Sequence, residues 1–299
     1  MIKPDFEARP SEPLLSQSST IVLGATSLVG RFLIDRLVGS GIETIAVSRR
    51  PHAPQAGVTW VTTNLAALDL PPDAQPRVAF SASPIWLLGP ALPALHRVGV
   101  VRIVAFSSTS RYTKVKSPIG SEREVARRLI EGEAEPRSYC EGEGIAWTIL
   151  RPTVIYAEGR DRSITRLANL IQRIRVLPLA GDGRGRRQPV HADDLAAGAI
   201  AAAASPATVN RAYEVPGGEI LSYRVMAERI FEGLGRRPRI VQIPPPLWRL
   251  GLSFASMWMP GTTTEMGSRM GEDLVFDIAP AEHDFQWRPR GFQPRFPHQ

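Results

Sequence analysis

A glycine-containing loop lies between an apolar run of strand length and a stretch with helical spacing, and this order limits the folds that the chain can adopt. The loop spans Gly24 to Gly30 and directly follows the apolar run Thr20 to Leu23. Apolar residues then recur at helical spacing up to Gly39, and a second strand-length run, Thr44 to Val47, comes next. This order predicts a βαβ unit with two parallel strands.

The position of this loop also predicts a phosphate site. A glycine-rich turn that opens a helix lets backbone N–H groups approach a pyrophosphate, whose charge is favoured at the helix N-terminus. Gly24 and Gly30 hold the outer positions of the pattern, while Ser27 stands where a glycine is usual. We therefore predict that the chain binds a dinucleotide.

The end of the second predicted strand bears on the type of cofactor. It carries Arg49 and Arg50, where an NAD-specific site usually offers a carboxylate to the adenosine ribose. Two guanidinium groups can instead form bidentate bonds to a 2′-phosphate. We predict NADP as the preferred cofactor and keep NAD as the alternative. The same arginines could also form a solvated pair on a loop.

Strand-length apolar runs alternate with helical stretches through the first half of the chain. There are six such runs: Thr20 to Leu23, Thr44 to Val47, Val58 to Val61, Ile85 to Leu88, Ile103 to Phe106 and Ala146 to Leu150. Alternation of this kind builds a parallel sheet covered by helices. The predicted fold class is α/β, a Rossmann-type doubly wound parallel sheet with a smaller C-terminal substrate-side domain.

Changes in composition and in the pattern of apolar runs along the chain predict the domain boundaries. We expect a flexible leader at residues 1–18 and a dinucleotide-binding Rossmann domain at 19–157, completed by about 188–217. The substrate-side domain then comprises 158–187 and 218–299. The Trp/Met-rich stretch Leu247 to Met259 lacks flanking lysines, so we expect buried packing or an apolar lid there rather than a membrane face.

Composition limits the classes of partner. Lysine and arginine number 36 against 29 acidic residues, but the arginines are spread along the chain without a lysine-rich tail. We therefore expect no nucleic acid and no membrane, but a small-molecule substrate whose negative charge is steered by the basic surface. Cys140 is the only cysteine and the five histidines have no ligand spacing, so we predict no metal site and a cytoplasmic location. A homodimer is left open.

Together with several later segments, these residues resemble the atypical and extended short-chain dehydrogenase/reductase superfamily, close to the NAD-dependent epimerase/dehydratase group. The later segments are Ser107 to Thr109, Leu150 to Tyr156, Pro189 to Leu195, Pro216 to Glu219 and Trp287 to Phe292. The resemblance implies a cofactor domain, a substrate domain assembled from later segments, and substrates that are often nucleotide sugars. The residues predicted to bind the cofactor are Gly24, Thr26, Ser27, Leu28, Val29, Gly30, Arg49, Arg50, Ser107 and Pro152.

The chain departs from the superfamily at its catalytic pair. The resemblance implies a Tyr-x-x-x-Lys pair on the helix after strand five, working with a Ser or Thr at the end of that strand. Carrying the register back from Ile145 to Pro152 puts Val125 and Leu129 in the Tyr and Lys places. Neither side chain can transfer a proton, and the two predict an apolar helix face.

A second Tyr-x-x-x-Lys spacing occurs at Tyr112 to Lys116, just beyond Thr109. Burial can lower the pKa of a lysine, which is not the case for arginine, and a lysine can also lower the pKa of a nearby tyrosine. The residues predicted to act in catalysis are Thr109, Ser108, Tyr112, Lys114 and Lys116. A solvated loop is the alternative interpretation.

The glycine-rich loop Gly181 to Arg187 could hold a substrate diphosphate through its guanidinium groups, or could be a plain solvated loop. The residues predicted to bind substrate are Arg186, Arg187 and His191, and a structural hydrogen bond is also expected of His191.

The leading hypothesis is an NAD(P)-dependent oxidoreductase or epimerase/dehydratase-like enzyme. Hydride would pass between nicotinamide and a nucleotide-sugar-like or other small carbonyl or hydroxyl substrate. The alternative is a non-catalytic NADP(H)-binding regulatory or accessory protein, which Val125 and Leu129 favour. A third option uses the cofactor transiently, so that no NADPH is consumed overall.

Overall fold

The computed structural model describes residues 19–71, 74–244 and 271–296. A sheet of seven strands dominates the fold. Its members are β1 (Thr20–Leu23), β2 (Thr44–Ser48), β3 (Val58–Thr62), β4 (Val78–Ser81), β5 (Arg102–Phe106), β6 (Ala146–Pro152) and β11 (Arg211–Val215). Their order across the sheet is β11-β6-β5-β4-β1-β2-β3. The predicted leader at 1–18 and the stretch Leu247 to Met259 lie outside the described residues.

Helices stand between many of the strands along the chain. The described helices are α1 (Leu28–Gly39), α2 (Leu92–Arg97), α3 (Ser110–Thr113), α4 (Gly120–Gly142), α5 (Ile164–Ile174), α6 (Ala192–Ala204), α7 (Tyr223–Gly233) and α8 (Ala279–Phe285). None of these helices is long and apolar enough to cross a membrane.

Three two-stranded sheets complete the described strands. They pair β7 (Ile155–Tyr156) with β10 (Val190–His191), β8 (Leu177–Ala180) with β13 (Ile240–Ile243), and β9 (Arg186–Arg187) with β12 (Leu221–Ser222). The first two pairs are parallel and the third is antiparallel.

The order of the main sheet reverses at β1. From β1 the chain moves outward through β2 to β3, then crosses to the other side of β1 and builds β4 and β5, and all four of these pairings are parallel. Every residue of β1, β2, β4 and β5 is buried, as expected for parallel strands covered on both faces. The predicted Rossmann-type α/β fold is confirmed.

One predicted strand is wrong. The apolar run Ile85 to Leu88 forms a 3₁₀ helix at Ile85–Leu87, and the strand that pairs with β1 is Val78–Ser81 instead. Ile85 and Leu88 are each 1% exposed, whereas Leu87 between them is 43% exposed. Burial at a spacing of three residues is the period of a 3₁₀ turn and does not occur in a strand.

The chain forms two compact units, each assembled from separated segments. Unit 1 comprises residues 1–107, 128–149 and 199–212, and unit 2 comprises 108–127, 150–198 and 213–299. Unit 1 holds the predicted loop Gly24 to Gly30, Arg49, Arg50 and Ser107. Unit 2 holds Pro152 and all the residues predicted for catalysis and substrate binding. The predicted domain boundaries stay a prediction.

Candidate functional site

The loop between β1 and α1 is built around two glycines. Gly24 has φ +71°, a conformation that favours glycine, and a Cβ there would lie 2.7 Å from the backbone nitrogen of Ser83. A Cβ on Gly30 would overlap the carbonyl oxygen of Gly24. Both neighbours are backbone atoms, so neither could move aside as a side chain would. The spacing read from the sequence therefore has a steric cause.

Ser27 caps the helix that follows this loop. Its Oγ accepts the backbone N–H of Gly30 at 3.0 Å, and its own backbone is extended. Thr26 is exposed, Leu28 is half-buried, and Val29 is buried. The first turn of α1 carries no acidic residue, so its positive end is not neutralised by a side chain. These features fit a cofactor pyrophosphate at the start of α1.

The end of β2 presents two exposed guanidinium groups. Arg49 and Arg50 are exposed, and neither forms an ion pair with another residue of the described ranges. The backbone N–H of Arg50 donates to Ser48 Oγ at 3.2 Å, and that oxygen lies 3.0 Å from His52 Nε2. The His52 ring stacks on Trp60 with ring centroids 4.0 Å apart. The residues that follow β2 are therefore held in place by a hydrogen bond and a ring contact beside the two arginines. The sequence did not predict these contacts.

Ser107 follows β5 and contacts a residue that the sequence analysis missed. Its hydroxyl donates to Glu133 Oε1 at 2.5 Å, and Glu133 is only 2% exposed. Glu133 lies four residues after Leu129 on α4, which is in turn four residues after Val125. Leu129 is buried and Val125 half-buried, so the apolar face expected there exists. The continuing four-residue spacing was the signal that could have identified Glu133.

In unit 2, the hydroxyls after β5 have different partners. Thr109 is buried, and both its backbone N–H and its Oγ1 donate to the carbonyl oxygen of Pro152 at 3.1 Å. Ser108 Oγ accepts the N–H of Ser110 at 3.1 Å. Of these two hydroxyls, that of Ser108 keeps its proton available for a ligand, whereas the proton of Thr109 is already donated to Pro152.

Tyr112 belongs to a polar cluster of unit 2. Its hydroxyl donates to Glu214 Oε1 at 2.9 Å and accepts from Arg151 Nη1 at 2.7 Å, while Arg151 and Glu214 are 3.1 Å apart. Burial and the hydrogen bond to Glu214 raise the pKa of Tyr112 above 10.0. A tyrosine that acts as a base needs a lowered pKa, so this environment favours the protonated hydroxyl.

The two predicted lysines also differ in their surroundings. Lys114 is half-buried, and its Nζ lies 3.6 Å from Glu122 Oε1. Lys116 is exposed. Lys114 lines a large cavity of unit 2, whereas Lys116 does not. The structure therefore does not place both lysines of the Tyr112 to Lys116 segment at one cavity.

The large cavity, which we call the α5 cavity, has a volume of about 810 Å³. This volume lies within the range of small-molecule sites, roughly 300–1,000 Å³. The predicted residues that line it are Ser108, Thr109, Lys114 and Arg187. Further lining comes from α5, including Arg166 and Arg173, and from Leu274 and Phe276. Among the described residues, no aspartate or glutamate lines this cavity.

Arg186 and Arg187 hold the segment 272–276 beside the α5 cavity. The Arg186 guanidinium is 2.7 Å from Asp273, and this hydrogen-bonded pair lowers the pKa of the aspartate and raises that of the arginine. Arg187 is buried, donates to the carbonyl oxygens of Arg186 and Glu272, and lies over the ring of Tyr223. Only Arg187 lines the cavity.

His191 lies at a second cavity of unit 2, of about 450 Å³, and not at the α5 cavity. Its Nδ1 accepts the N–H of Asp193 at 3.1 Å, and its Nε2 is 3.3 Å from Glu158 Oε2. Burial opposes ionisation of Glu158, but hydrogen bonds from His191 and the backbone outweigh it and lower the pKa of the carboxyl. His191 therefore organises the start of α6. In the described part of the chain no His, Cys, Asp and Glu side chains group as metal ligands.

Comparison with known proteins supports the resemblance. Residues 90–215 match the family described as NAD dependent epimerase/dehydratase family, and the resemblance inferred from the sequence is confirmed. The uncharacterized protein y4nG of Sinorhizobium fredii is 26% identical over 200 residues, which are 64% of this chain and 50% of that protein. NADH dehydrogenase [ubiquinone] 1 alpha subcomplex subunit 9, mitochondrial, of Arabidopsis thaliana is 28% identical over 166 residues, 52% of this chain and 37% of that subunit. The matches thus span half or less of these two relatives.

Solved structures share the fold at low identity. Epimerase Mth375 of Methanothermobacter thermautotrophicus has a TM-score of 0.70 and 16% identity, covering 92% of this chain and 88% of that chain. UDP-glucuronic acid 4-epimerase of Bacillus cereus, in complex with UDP-glucuronic acid and NAD, has a TM-score of 0.69 and 17% identity. Coverage for this second structure is 92% of this chain and 95% of that chain.

Proposed function

We propose that this chain, whose residues 90–215 match the NAD dependent epimerase/dehydratase family, is an NAD(P)-dependent enzyme of the oxidoreductase or epimerase/dehydratase type. The observation that carries the proposal is the loop from Gly24 to Gly30, with its sterically required glycines and a first turn of α1 that contains no acidic residue. The substrate would be a small anionic molecule with a carbonyl or hydroxyl group, bound in the α5 cavity. A nucleotide sugar, such as the one bound by the Bacillus cereus relative, is one such molecule.

The preferred cofactor in this proposal is NADP. Arg49 and Arg50 are exposed and have no acidic partner within the described ranges, so both guanidinium groups can take a 2′-phosphate. The Bacillus cereus relative binds NAD. The preference therefore depends on these two side chains alone, and it has to be tested against NADH directly.

The chain's own groups define what it would contribute to the reaction. When bound, the nicotinamide supplies a hydride donor or acceptor. Ser108 lines the α5 cavity, and its hydroxyl proton is available for the substrate oxygen because Oγ accepts from Ser110 and donates to none of the described residues. Lys114 adds positive charge at the same cavity. These roles, and those of Thr109, Tyr112 and Lys116, stay predictions.

The first experiment titrates the cofactor-stripped protein with NADPH and NADH separately, following tryptophan quenching. We expect tighter binding of NADPH, and we expect Arg49→Ala/Arg50→Ala to weaken NADPH binding by about tenfold while leaving NADH binding nearly unchanged. The matched control is Arg237→Ala/Arg239→Ala, which removes two exposed arginines of unit 2. If neither dinucleotide binds, the proposal is wrong.

A second experiment tests the predicted catalytic segment once a substrate supports turnover. Tyr112→Phe removes the hydroxyl that contacts Arg151 and Glu214, and Lys114→Ala/Lys116→Ala removes both lysines. If both variants keep full turnover, neither Tyr112 nor the lysines act in catalysis. Ser108→Ala is then the decisive variant, because Ser108 would be the remaining proton donor.

A non-catalytic dinucleotide-binding protein is the second candidate function. It is favoured by Val125 and Leu129 at the usual Tyr and Lys places and by the raised pKa of Tyr112. The name of the Arabidopsis relative, a subunit of NADH dehydrogenase, is compatible with an accessory role. This candidate function would be supported by tight NADPH binding, provided that no compound in a panel of carbonyl substrates causes oxidation of the NADPH. Product analysis by NMR is needed as well, because an absorbance assay misses a reaction that consumes no NADPH.

A further inference from the structure

One side of the α5 cavity is formed by residues that also pack against the hydrophobic core of unit 2. Ile164, Ala168 and Ile171 on α5 are buried in that core. Leu167 and Leu170, on the same helix, are half-buried, pack against the core and line the cavity. Since α5 is amphipathic, the cavity exposes the boundary between its apolar and its polar face.

The segment 272–276 adds a second apolar wall. Leu274 and Phe276 line the cavity and are held by backbone hydrogen bonds, from Leu274 N–H to the Arg186 carbonyl and from Phe276 N–H to Gln188 Oε1, each 2.8 Å. Met226, which is 4% exposed, also lines the cavity. These three side chains offer no hydrogen bond to the hydroxyls of a sugar, and burying an unpaired hydroxyl against them is unfavourable. Hydroxyl and amide side chains, such as those of Thr153, Asn169 and Gln188, line other parts of the cavity.

The charged side of the cavity is formed by α5 as well. Arg166 and Arg173 are exposed residues that line the cavity, seven residues or about 10 Å apart along the helix. Neither forms an ion pair with any residue in the described part of the chain. No carboxylate lines the cavity there to compete for them. Two further cations, the buried Arg187 and the half-buried Lys114, also line the cavity. Arg187 already donates to two carbonyl oxygens and Lys114 lies beside Glu122, so Arg166 and Arg173 are the arginines left to bind an anion.

We propose that the α5 cavity binds a small anionic amphiphile, a molecule with a carboxylate or phosphate head and a hydrocarbon body. Arg166 and Arg173 hold the head, while Leu167, Leu170 and the wall from Leu274 to Phe276 enclose the body. The proposal rests on the proposed function, because it names the substrate class of the same cavity. The proposed ligand differs from a nucleotide sugar because it has an apolar body.

The binding test uses the full chain and isothermal titration calorimetry. The probes are decanoate and decyl phosphate, which separate the two head groups, each kept below its critical micelle concentration. The comparison probes are decanol, inorganic phosphate and UDP-glucose. We expect both amphiphiles to bind, and each CH₂ added from octanoate to decanoate to tighten binding about two- to fourfold. Decanol and inorganic phosphate should bind at least about tenfold more weakly.

Variants assign the binding to the α5 cavity. Arg166→Ala/Arg173→Ala should weaken decanoate binding by about tenfold, whereas the matched pair Arg237→Ala/Arg239→Ala should leave it unchanged. Leu167→Asn should reduce the gain per CH₂. If Leu167→Asn fails to fold by circular dichroism, the chain-length series on the unmodified protein still tests the apolar body.

Two outcomes overturn the inference: UDP-glucose binding more tightly than either amphiphile, or decanoate binding that is equal in the Arg166→Ala/Arg173→Ala variant and in its control. The dinucleotide titration is independent of these results. Dinucleotide binding without amphiphile binding refutes only the substrate class, and amphiphile binding without dinucleotide binding refutes only the proposed enzyme.

Discussion

Gly30 and Gly39 lie on the same helix but differ in the space around them. A Cβ on Gly30 would overlap the Gly24 carbonyl, whereas a Cβ on Gly39 would have no atom within 4 Å. We expect Gly30→Ala to lower the free energy of unfolding by about 1–3 kcal/mol and to abolish dinucleotide binding. Gly39→Ala should raise it by about 0.5–1 kcal/mol, because glycine is unfavourable in helices. Urea denaturation measures both, and equal effects would contradict the steric argument.

The Glu158 carboxylate predicts a pH-dependent contribution to stability. It is hydrogen-bonded to His191 Nε2 and to the N–H of Arg295, and its pKa in the folded chain lies below the ordinary value of 4.5. A carboxyl whose pKa is lower in the folded chain than in the unfolded chain stabilises the fold at pH values above its unfolded pKa. This stabilisation is lost as the pH falls through the folded pKa.

Glu158→Gln should therefore lower the free energy of unfolding by about 1 kcal/mol near neutral pH. The difference from the unmodified protein should shrink as the pH falls below 4.5. Thermal unfolding at a series of pH values checks this prediction. A difference that stays constant down to about pH 3 would mean that the charge of Glu158 does not contribute.

A site residue could be predicted when the residues it contacts lie close to it along the chain. The loop glycines belong to a local pattern of seven residues, and their steric roles follow from it. The partners of Ser107 and Tyr112 lie 26 and 102 residues away, at Glu133 and Glu214. Contacts over such separations depend on tertiary packing, which a single sequence does not encode in any local period.

At the scale of elements, the same distinction explains the strand that was assigned wrongly. Ile85 to Leu88 is an apolar run of four residues, and so short a run fits a buried strand or a buried helical turn equally well. Pro84 and Pro90 flank it, and prolines bound both kinds of element. The runs Thr44 to Val47, Ile103 to Phe106 and Ala146 to Leu150 are no more than one residue longer, yet they became β2, β5 and β6 as predicted. Run length alone therefore did not separate the correct assignments from the wrong one.

The start of α1 gives a prediction at this scale. Ser27 Oγ satisfies the N–H of Gly30, one of the amides that a helix leaves unpaired at its N-terminus. Ser27→Ala should cost about 1 kcal/mol of stability, and Ser27→Gly only a few tenths. Both variants should be compared by urea denaturation and by NADPH titration. If Ser27→Ala is as stable as the unmodified chain, the cap does not stabilise α1.

At the scale of the whole molecule, cofactor binding should appear as thermal stabilisation. A ligand present at 100 times its dissociation constant adds about 2.7 kcal/mol to the stability of the form that binds it. NADPH should therefore raise the melting temperature in differential scanning fluorimetry. In Arg49→Ala/Arg50→Ala the NADPH shift should shrink to that of NADH, which lacks the 2′-phosphate. A loss of both shifts would indicate that the loop itself has been disrupted.

The chain passes between the two units at five places, after residues 107, 127, 149, 198 and 212. No single truncation can remove one unit and leave the other whole. A recombination event that exchanged only unit 1 would have to replace three separate gene segments at once. Either unit could therefore pass whole into a related chain only if several crossovers fell at the codons where the chain passes between the units.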